Sequence, residues 1–501
     1  MSQFNWRQLD IRIYAVCASL MISLFTILIP DTLNDDAYVY IRTAGIALDD
    51  GIAAAFQHYS WATYSLLIAA VSQVGLDLFS AAFIINCLFY ALLVYAFVSI
   101  ISEIDNSRLT LTFAAICVLV YPQLNEYRYF IIRDIGFWAL TLFSVWLFIR
   151  HRKTRKFKFA FGYCSVLILA AFFRAEAAAF LFLIPFTVLL DKQKNKKTKK
   201  QIFVHLMATA IGFSMIAILL LALIGFDIPS LFVEFVSVYE PFVASTFSPN
   251  ELELSALSTL LFGEYAAAYS AEYISIFMAT GLLAILFANV FNAIGGPYFF
   301  VLVYGAIFKK IKIDRDLANA VLGYILINLV ILFLFLFITR YLTSRYAMMI
   351  CLLVALAVPL ILTELYRQAL EKKQSLVTAA LVLFLSYCAA DAYYSFGDSK
   401  SFVFDSIDWI ADSSDKSRRV ITNNHAIAYY SGRVENYDSV LKFLTQDQLL
   451  NAVEEDLIVI EMNHEMTQLV ESDLIAPNLK FKIAFPDNED RRVSVYSRIQ
   501  L

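Results

Sequence analysis

Residues 11–42 read IRIYAVCASLMISLFTILIPDTLNDDAYVYIR. The first twenty are almost wholly apolar, about the length a helix needs to cross the hydrocarbon core of a bilayer. The next twelve bring in Asp31, Asp35 and Asp36 against one base, Arg42. No small-residue cleavage site separates the two parts, so the apolar run reads as an anchor and not as a removed signal. An anchor followed at once by an acidic pair makes the sidedness of charge the property to follow along the chain.

The 501 residues are 60% hydrophobic and 16% charged, which excludes a water-soluble globule. Further apolar stretches recur at roughly 78–101, 109–122, 135–150, 159–172, 175–190, 202–225, 273–291, 318–338, 346–363 and 375–392. Lys and Arg crowd the connections at 150–158 and 191–201, six in each, and recur at 309–316 and 364–373. The positive-inside rule makes these cytoplasmic, with the N-terminus on the same side. The alternate connections are opposite in kind. Residues 31–77 hold six acids and only Arg42, and 226–272 hold seven acids and no Lys or Arg. The expectation is an α-helical polytopic membrane protein of about 11–13 transmembrane helices. Gly295-Gly296-Pro297 breaks the long run 273–308, which reads as one crossing plus a re-entrant or interfacial piece.

Charge also divides the chain lengthwise. Residues 1–392 carry 25 acidic and 28 basic groups, and residues 393–501 carry 18 acidic and 11 basic ones. The first part reads as a membrane body with amphipathic outer-loop helices at about 36–76. The second reads as a small extracytoplasmic α/β domain: strands at Arg419–Ile421 and Asp456–Ile460, helices at Phe402–Ile410 and Ser439–Val453, and a final hairpin from FKIAF to VSVYS. Nucleic acid is excluded as a partner because neither part presents a basic stripe beyond the short loops. The six cysteines lie in apolar stretches without CxxC or His/Cys spacing and read as core residues. His425 and His464 are lone histidines and read as solvated or structural.

The informative residues break the charge pattern. On the outer side the body carries Arg42, Arg128, Arg133, Arg174, Arg340 and Arg345, and no lysine accompanies them. A guanidinium offers a planar fork suited to phosphate, so arginines lining an outer pocket point to a phosphate-bearing ligand. Local pairing is the plainer reading for Arg133 with Asp134 and for Arg174 with Glu176. Adjacent acids Asp35 and Asp36 repel unless a proton or cation relieves them, which suits a general base or a divalent-metal ligand such as one for Mg or Mn. Asp35 could instead cap the helix that starts there. A second cluster, YPQLNEYRY at 121–129 followed by Arg133-Asp134, offers Glu126 and Asp134 on the same side.

In order and sidedness these features resemble the GT-C class of membrane glycosyltransferases, whose bacterial branch includes protein O-mannosyltransferases and lipid A aminoarabinose transferases. The features are DDAYVYIRTA (Asp35–Ala44), HYSWATYS (His58–Ser65), the second acidic loop, Arg174-Ala175-Glu176, Arg340-Tyr341 with Arg345-Tyr346, and ITNNHAIAYYSGR (Ile421–Arg433) in the outer tail. The resemblance implies an inverting transfer of one sugar from a polyprenyl-phosphate donor to a lipid, glycan or protein acceptor. The place is the outer face of a bacterial inner membrane, among its lipids. It implies Asp35 or Asp36 as base or metal ligand and Glu126 or Asp134 as second acid. It further implies Arg128, Arg133, Arg174, Arg340 and Arg345 on the donor phosphate, and Tyr38, Arg42, His58, Trp61, Tyr64 and Tyr346 against substrate. A transporter or flippase of lipid-linked sugars would show internal repeats, and none is found. A surface-polysaccharide polymerase or ligase would carry its large outer loop late in the chain, not an acidic pair after the first span.

Overall fold

The computed structural model describes residues 10–27, 33–192, 194–223, 225, 227–237, 240, 251–310, 315–394, 400–412 and 418–499. Every apolar stretch picked out above is helical over most of its described residues, with breaks at Val120-Tyr121 in 109–122 and at Leu356 in 346–363. The first eleven helices are α1 (Ile11–Ile27), α2 (Asp35–Asp49), α3 (Ile52–His58), α4 (Thr63–Ser72), α5 (Leu78–Ser102), α6 (Arg108–Leu119), α7 (Pro122–Glu126), α8 (Asp134–Thr154), α9 (Phe157–Ala171), α10 (Glu176–Leu190) and α11 (Lys196–Leu223). The expected amphipathic region at 36–76 is α2 to α4. Among the described residues six helices are long and apolar enough to cross a membrane alone, and the pair α6–α7, bent by 50°, adds a seventh. Shorter apolar helices such as α1, α9 and α10 complete the multi-pass body.

Local chemistry sets the breaks. Asp77 caps α5 by accepting from Ser80 N at 3.0 Å, and Pro122 opens α7, where its missing N–H costs nothing. The run 273–308 divides at Gly295 into helices Ile274–Ile294 and Gly296–Ile307. Gly295 adopts φ 74°, and a Cβ there would collide with the Gln123 side chain. Twelve residues rise about 18 Å, so Gly296–Ile307 is too short to span by itself.

Side-chain pairs sort the connections into two ends. At one end Glu103 meets Arg150 and Lys153 at 3.0 and 2.9 Å, Arg367 meets Asp105 at 2.9 Å, and buried Arg152 meets Asp191 at 2.6 Å. These are the basic connections. The other end gathers the loops before α2, before α8, between α9 and α10, and before the helix Ser344–Ala355.

Arg128 ties this second end together. It is buried, lies 4.2 Å from the Tyr90 ring centroid, and donates to Asn125 Oδ1 (2.6 Å), Ser23 Oγ (2.6 Å), Ser19 Oγ (3.1 Å) and Ser19 O (3.3 Å). All of these acceptors belong to α1 or the end of α7. Arg128→Ala strands them in a buried site and is expected to cost about 2–4 kcal/mol. Thermal unfolding in detergent checks this, and an unchanged midpoint would refute the structural role.

Residues 401–499 form a small α/β unit. Strands β1 (Val420–Thr422), β2 (Leu457–Glu461), β3 (Leu479–Pro486) and β4 (Arg491–Arg498) stand in the order β1-β2-β4-β3, with β1 and β2 parallel and the other pairs antiparallel. The helix expected over 439–453 shrinks to Gln446–Leu450. Thr445 and Gln448 form a capping box that starts it there, and Val440 and Leu444 are buried from the non-helical segment before it. Tyr38 of α2 enters the core of this unit beside Phe402, Val459 and Val495.

Candidate functional site

Asn34 stands at the start of α2, yet its side chain does not cap the helix. It exchanges hydrogen bonds with the Ile131 backbone instead: Oδ1 accepts from Ile131 N at 3.0 Å and Nδ2 donates to Ile131 O at 3.3 Å. That joint holds the first acidic loop against the second. Asp35 is left exposed, while Asp36 Oδ2 accepts from Arg345 Nη1 at 2.5 Å. On its other side the Arg345 Nε lies 3.5 Å from Asp134 Oδ2.

Asp134 is the hub. It is 1% exposed and also takes a short hydrogen bond from Arg174 Nη1. Arg174 in turn reaches Glu176 Oε1 through Nη2 (2.5 Å) and Nε (3.0 Å) and lies 4.3 Å from the Tyr346 ring centroid. The result is an alternating series: Asp36, Arg345, Asp134, Arg174, Glu176. Asp134 and Arg174 are buried, and buried charges persist only when each has an opposite neighbour; the series supplies one at every step and opens towards solvent at Asp36. Arg133 stands beside it, 4.6 Å from the Trp61 ring centroid, with its Nη1 buried and without a hydrogen-bond partner. With Arg133 counted, three guanidiniums face three carboxylates.

A glycine permits this closure. Gly136 follows Asp134 by two residues in α8, and a Cβ on it would sit 2.8 Å from the Phe173 ring and 3.1 Å from Phe89. Only the absent side chain lets the α9–α10 loop, with Arg174, approach the first turn of α8.

The structure therefore brings together Asp36, Asp134, Arg174, Arg345 and Tyr346, with Arg133 and Trp61 alongside. It places the other expected site residues elsewhere. Glu126 lines a separate cavity of about 680 Å³ with Asp391, Tyr129 and Tyr393, because the 3-10 turn Tyr127–Tyr129 points it away from Asp134. Arg128, expected on phosphate, spends its donors inside the body. Arg340 is exposed at a left-handed position (φ 55°) after the helix Arg315–Thr339. Tyr64 is buried and donates to Asn86 Oδ1 at 2.8 Å. Tyr38, Arg42 and His58 face the C-terminal unit and not the ion series: Arg42 Nε and His58 Nε2 lie 3.3 and 2.7 Å from Asp438 Oδ1. Asp438 escaped the sequence reading, since nothing local links it to partners 380 or more residues away. Among the described residues no three His, Cys, Asp or Glu side chains converge as metal ligands.

No protein-family model and no curated protein matches the sequence. Solved structures do match its backbone. ArnT from Cupriavidus metallidurans bound to undecaprenyl phosphate is similar over 97% of this chain and 97% of its own, at 11% identity and a TM-score of 0.54. The archaeal oligosaccharyltransferase AglB from Archaeoglobus fulgidus, in complex with an inhibitory peptide and a dolichol-phosphate, is similar over 99% of this chain and 75% of its own, at 11% identity and a TM-score of 0.52. The Archaeoglobus fulgidus oligosaccharyltransferase in complex with Zn and sulfate gives 12% identity, 97% and 73% coverage and a TM-score of 0.53.

The chain has the GT-C fold. Within this GT-C fold the ion series occupies the end of the helical body opposite the Lys- and Arg-rich connections. The small α/β unit follows the last helix of the body, Ser375–Tyr393, and rests on α2 at that same end.

Proposed function

We propose that the protein is a membrane glycosyltransferase that moves a single sugar from a polyprenyl-phosphate-linked donor to an acceptor on the outer face of a bacterial inner membrane. The observation that carries this reading is the series Asp36–Arg345–Asp134–Arg174–Glu176 in a GT-C fold. In the bilayer the basic end faces the cytoplasm and the ion series faces outward, following the positive-inside rule. The body would correspond to residues 1–392 and the outer domain to 393–501. The lipid phosphates named with ArnT and AglB support the donor class, and the acceptor peptide tethered to the Archaeoglobus fulgidus oligosaccharyltransferase supports a separate acceptor.

The chemistry has two needs. An acceptor hydroxyl attacks the anomeric carbon, the bond from that carbon to the phosphate oxygen breaks, and the hydroxyl proton must go to a base. The donor is a phosphodiester and the departing lipid a phosphomonoester, so negative charge grows on the leaving group. Arg345, with Arg174 and Arg133 behind it, supplies guanidinium donors where that charge develops. Asp36 takes the proton. At rest Arg345 donates to Asp36 Oδ2, so the carboxylate oxygen that would receive the proton is occupied. A donor phosphate competes for the same guanidinium, so donor binding frees Asp36 for the acceptor. The reading includes attack from the face opposite the phosphate, with inversion at the anomeric carbon. Asp134, shared by two arginines, holds them in place and is the second acid of this reading; Glu126 is left out of it.

One neighbour was crystallised with Zn. In this chain Asp35 and Asp36 do not make a good ion site, because Asp36 already has a guanidinium against it and no third ligand converges among the described residues. The guanidinium of Arg345 already supplies the positive charge beside Asp36.

Mass spectrometry of outer-surface lipids, glycans and proteins, with and without the protein, tests the activity: one acceptor class should lose the mass of one sugar. Arg345→Lys keeps the charge and loses the fork, so undecaprenyl phosphate should bind about tenfold more weakly. Unchanged binding would remove Arg345 from the phosphate site.

A further inference from the structure

α2 is held on two opposite faces. Successive helical residues turn by about 100°, so Asp36 and Tyr40 share one face while Tyr38 and Arg42 lie on another. The first face looks into the body. Asp36 meets Arg345, and the Tyr40 ring packs edge-on against Tyr59 and Tyr64 at 5.8 and 5.1 Å between centroids. The second face looks into the C-terminal unit. Tyr38 is 1% exposed and meets Tyr429 and Tyr430 of that unit at 5.6 and 6.1 Å, with Phe79 of α5 alongside at 6.2 Å.

Asp438 closes this second face. Its Oδ1 lies 3.3 Å from Arg42 Nε and accepts from His58 Nε2 at 2.7 Å. The other ring nitrogen of His58 lies 2.9 Å from Thr43 Oγ1, back on α2. Neighbouring Tyr437 lies under the Arg42 guanidinium, with its ring centroid 4.9 Å away. One carboxylate of the outer unit thus grips α2 twice, directly through Arg42 and indirectly through the last residue of α3. Partial burial raises the Asp438 pKa, but the hydrogen bond from His58 and the charges of His58 and Arg42 outweigh it and hold the group below the ordinary carboxylate range.

We propose that Asp438 is a positioning residue: through Arg42 and His58 it sets the roll of α2 about its own axis, and with it the placement of the Asp36 carboxylate against Arg345. Asn34 pins only the start of the helix, and rotation about that point would swing Asp36 across the site. Asp438 touches none of the ion series and reaches the site only through α2. The inference rests on the role of Asp36 proposed above.

The test compares Asp438→Ala, Asp438→Glu and Asp36→Asn in the full-length protein in membranes. In Asp438→Ala, amide hydrogen exchange within residues 35–49 should quicken about tenfold while the β2 and β4 amides stay as protected as in the wild type. Sugar transfer per folded protein should fall about three- to tenfold, because a partly exposed ion pair is weak but the geometry it sets is not. Binding of undecaprenyl phosphate should not weaken, since a displaced Asp36 competes less for Arg345, and Asp438→Glu should recover most of the transfer. Unchanged α2 exchange with wild-type transfer overturns the proposal, and so does exchange that quickens equally across the sheet, which would mean that the unit had merely unfolded. Should Asp438→Ala fail to fold, Asp438→Asn keeps the shape without the charge and is read in the same way. Asp36→Asn separates the two claims: normal transfer in that variant discards the role of Asp36, whereas an inactive Asp36→Asn beside a fully active Asp438→Ala discards only the positioning role.

Discussion

Replacing Asp36 by Asn is expected to lower sugar transfer by about two to four orders of magnitude, the usual worth of a general base. The side chain keeps its shape, and its amide oxygen can still accept from Arg345, so the fold should survive. What disappears is the ability to take the acceptor's proton. The second half of the expectation runs the other way. Asp36 and the donor phosphate compete for one guanidinium, held at 2.5 Å in the resting protein. Removing the charge on Asp36 removes the competitor, so undecaprenyl phosphate should bind several-fold more tightly even as transfer is lost. Product mass spectrometry and lipid binding on the same preparation check both halves. Tighter binding with full transfer would dismiss Asp36 as the base, and lost transfer with weaker binding would dismiss the exchange of partners.

Asp134→Asn should give the largest loss of stability. The carboxylate is 1% exposed and stands between Arg174 and Arg345. Its neutralisation leaves two guanidiniums facing each other with one fewer counter-charge, at an expected cost of about 3–5 kcal/mol. Thermal unfolding in lipid nanodiscs reads this directly. Adding Arg174→Gln to Asp134→Asn takes the pair away from Glu176 but restores equal numbers of guanidiniums and carboxylates, Arg133 and Arg345 against Asp36 and Glu176, and should recover part of the midpoint while transfer stays absent. A double variant no more stable than Asp134→Asn alone would argue against an electrostatic origin.

Much of this architecture is legible in the residues. Hydropathy marks the helices, and lysine placement separates the two ends. The adjacency of Arg174 and Glu176 announces their pair, because two residues around a tight turn cannot avoid each other. The choice between Glu126 and Asp134 is not legible. Both lie in one connection, and a single 3-10 turn at Tyr127–Tyr129 decides which of them faces Arg345. The same turn sends Arg128 into the body, where two hydroxyls and one carbonyl of α1 fill its fork. Arginine type alone cannot tell that destination from a phosphate. The roles of Arg42 and His58 are hidden for a different reason: their partner Asp438 follows nearly four hundred residues later, and no periodicity reports so distant a meeting.

The spacing of the ion series along the chain bears on how the protein enters its membrane. Asp134 and Arg174 are only 40 residues apart and lie at the same end of consecutive helices. They can neutralise each other as soon as α8 and α9 have left the ribosome, so neither needs to cross the insertion machinery's lipid gate as a lone ion. Arg345 is synthesised long after its partner Asp36, 309 positions later in the chain. Until it arrives the nascent chain has its acid in place and lacks the cation that completes the series, and the C-terminal unit that grips α2 is made later still. The ion series is therefore complete only once Arg345 has been made, and α2 gains its second hold only when Asp438 follows.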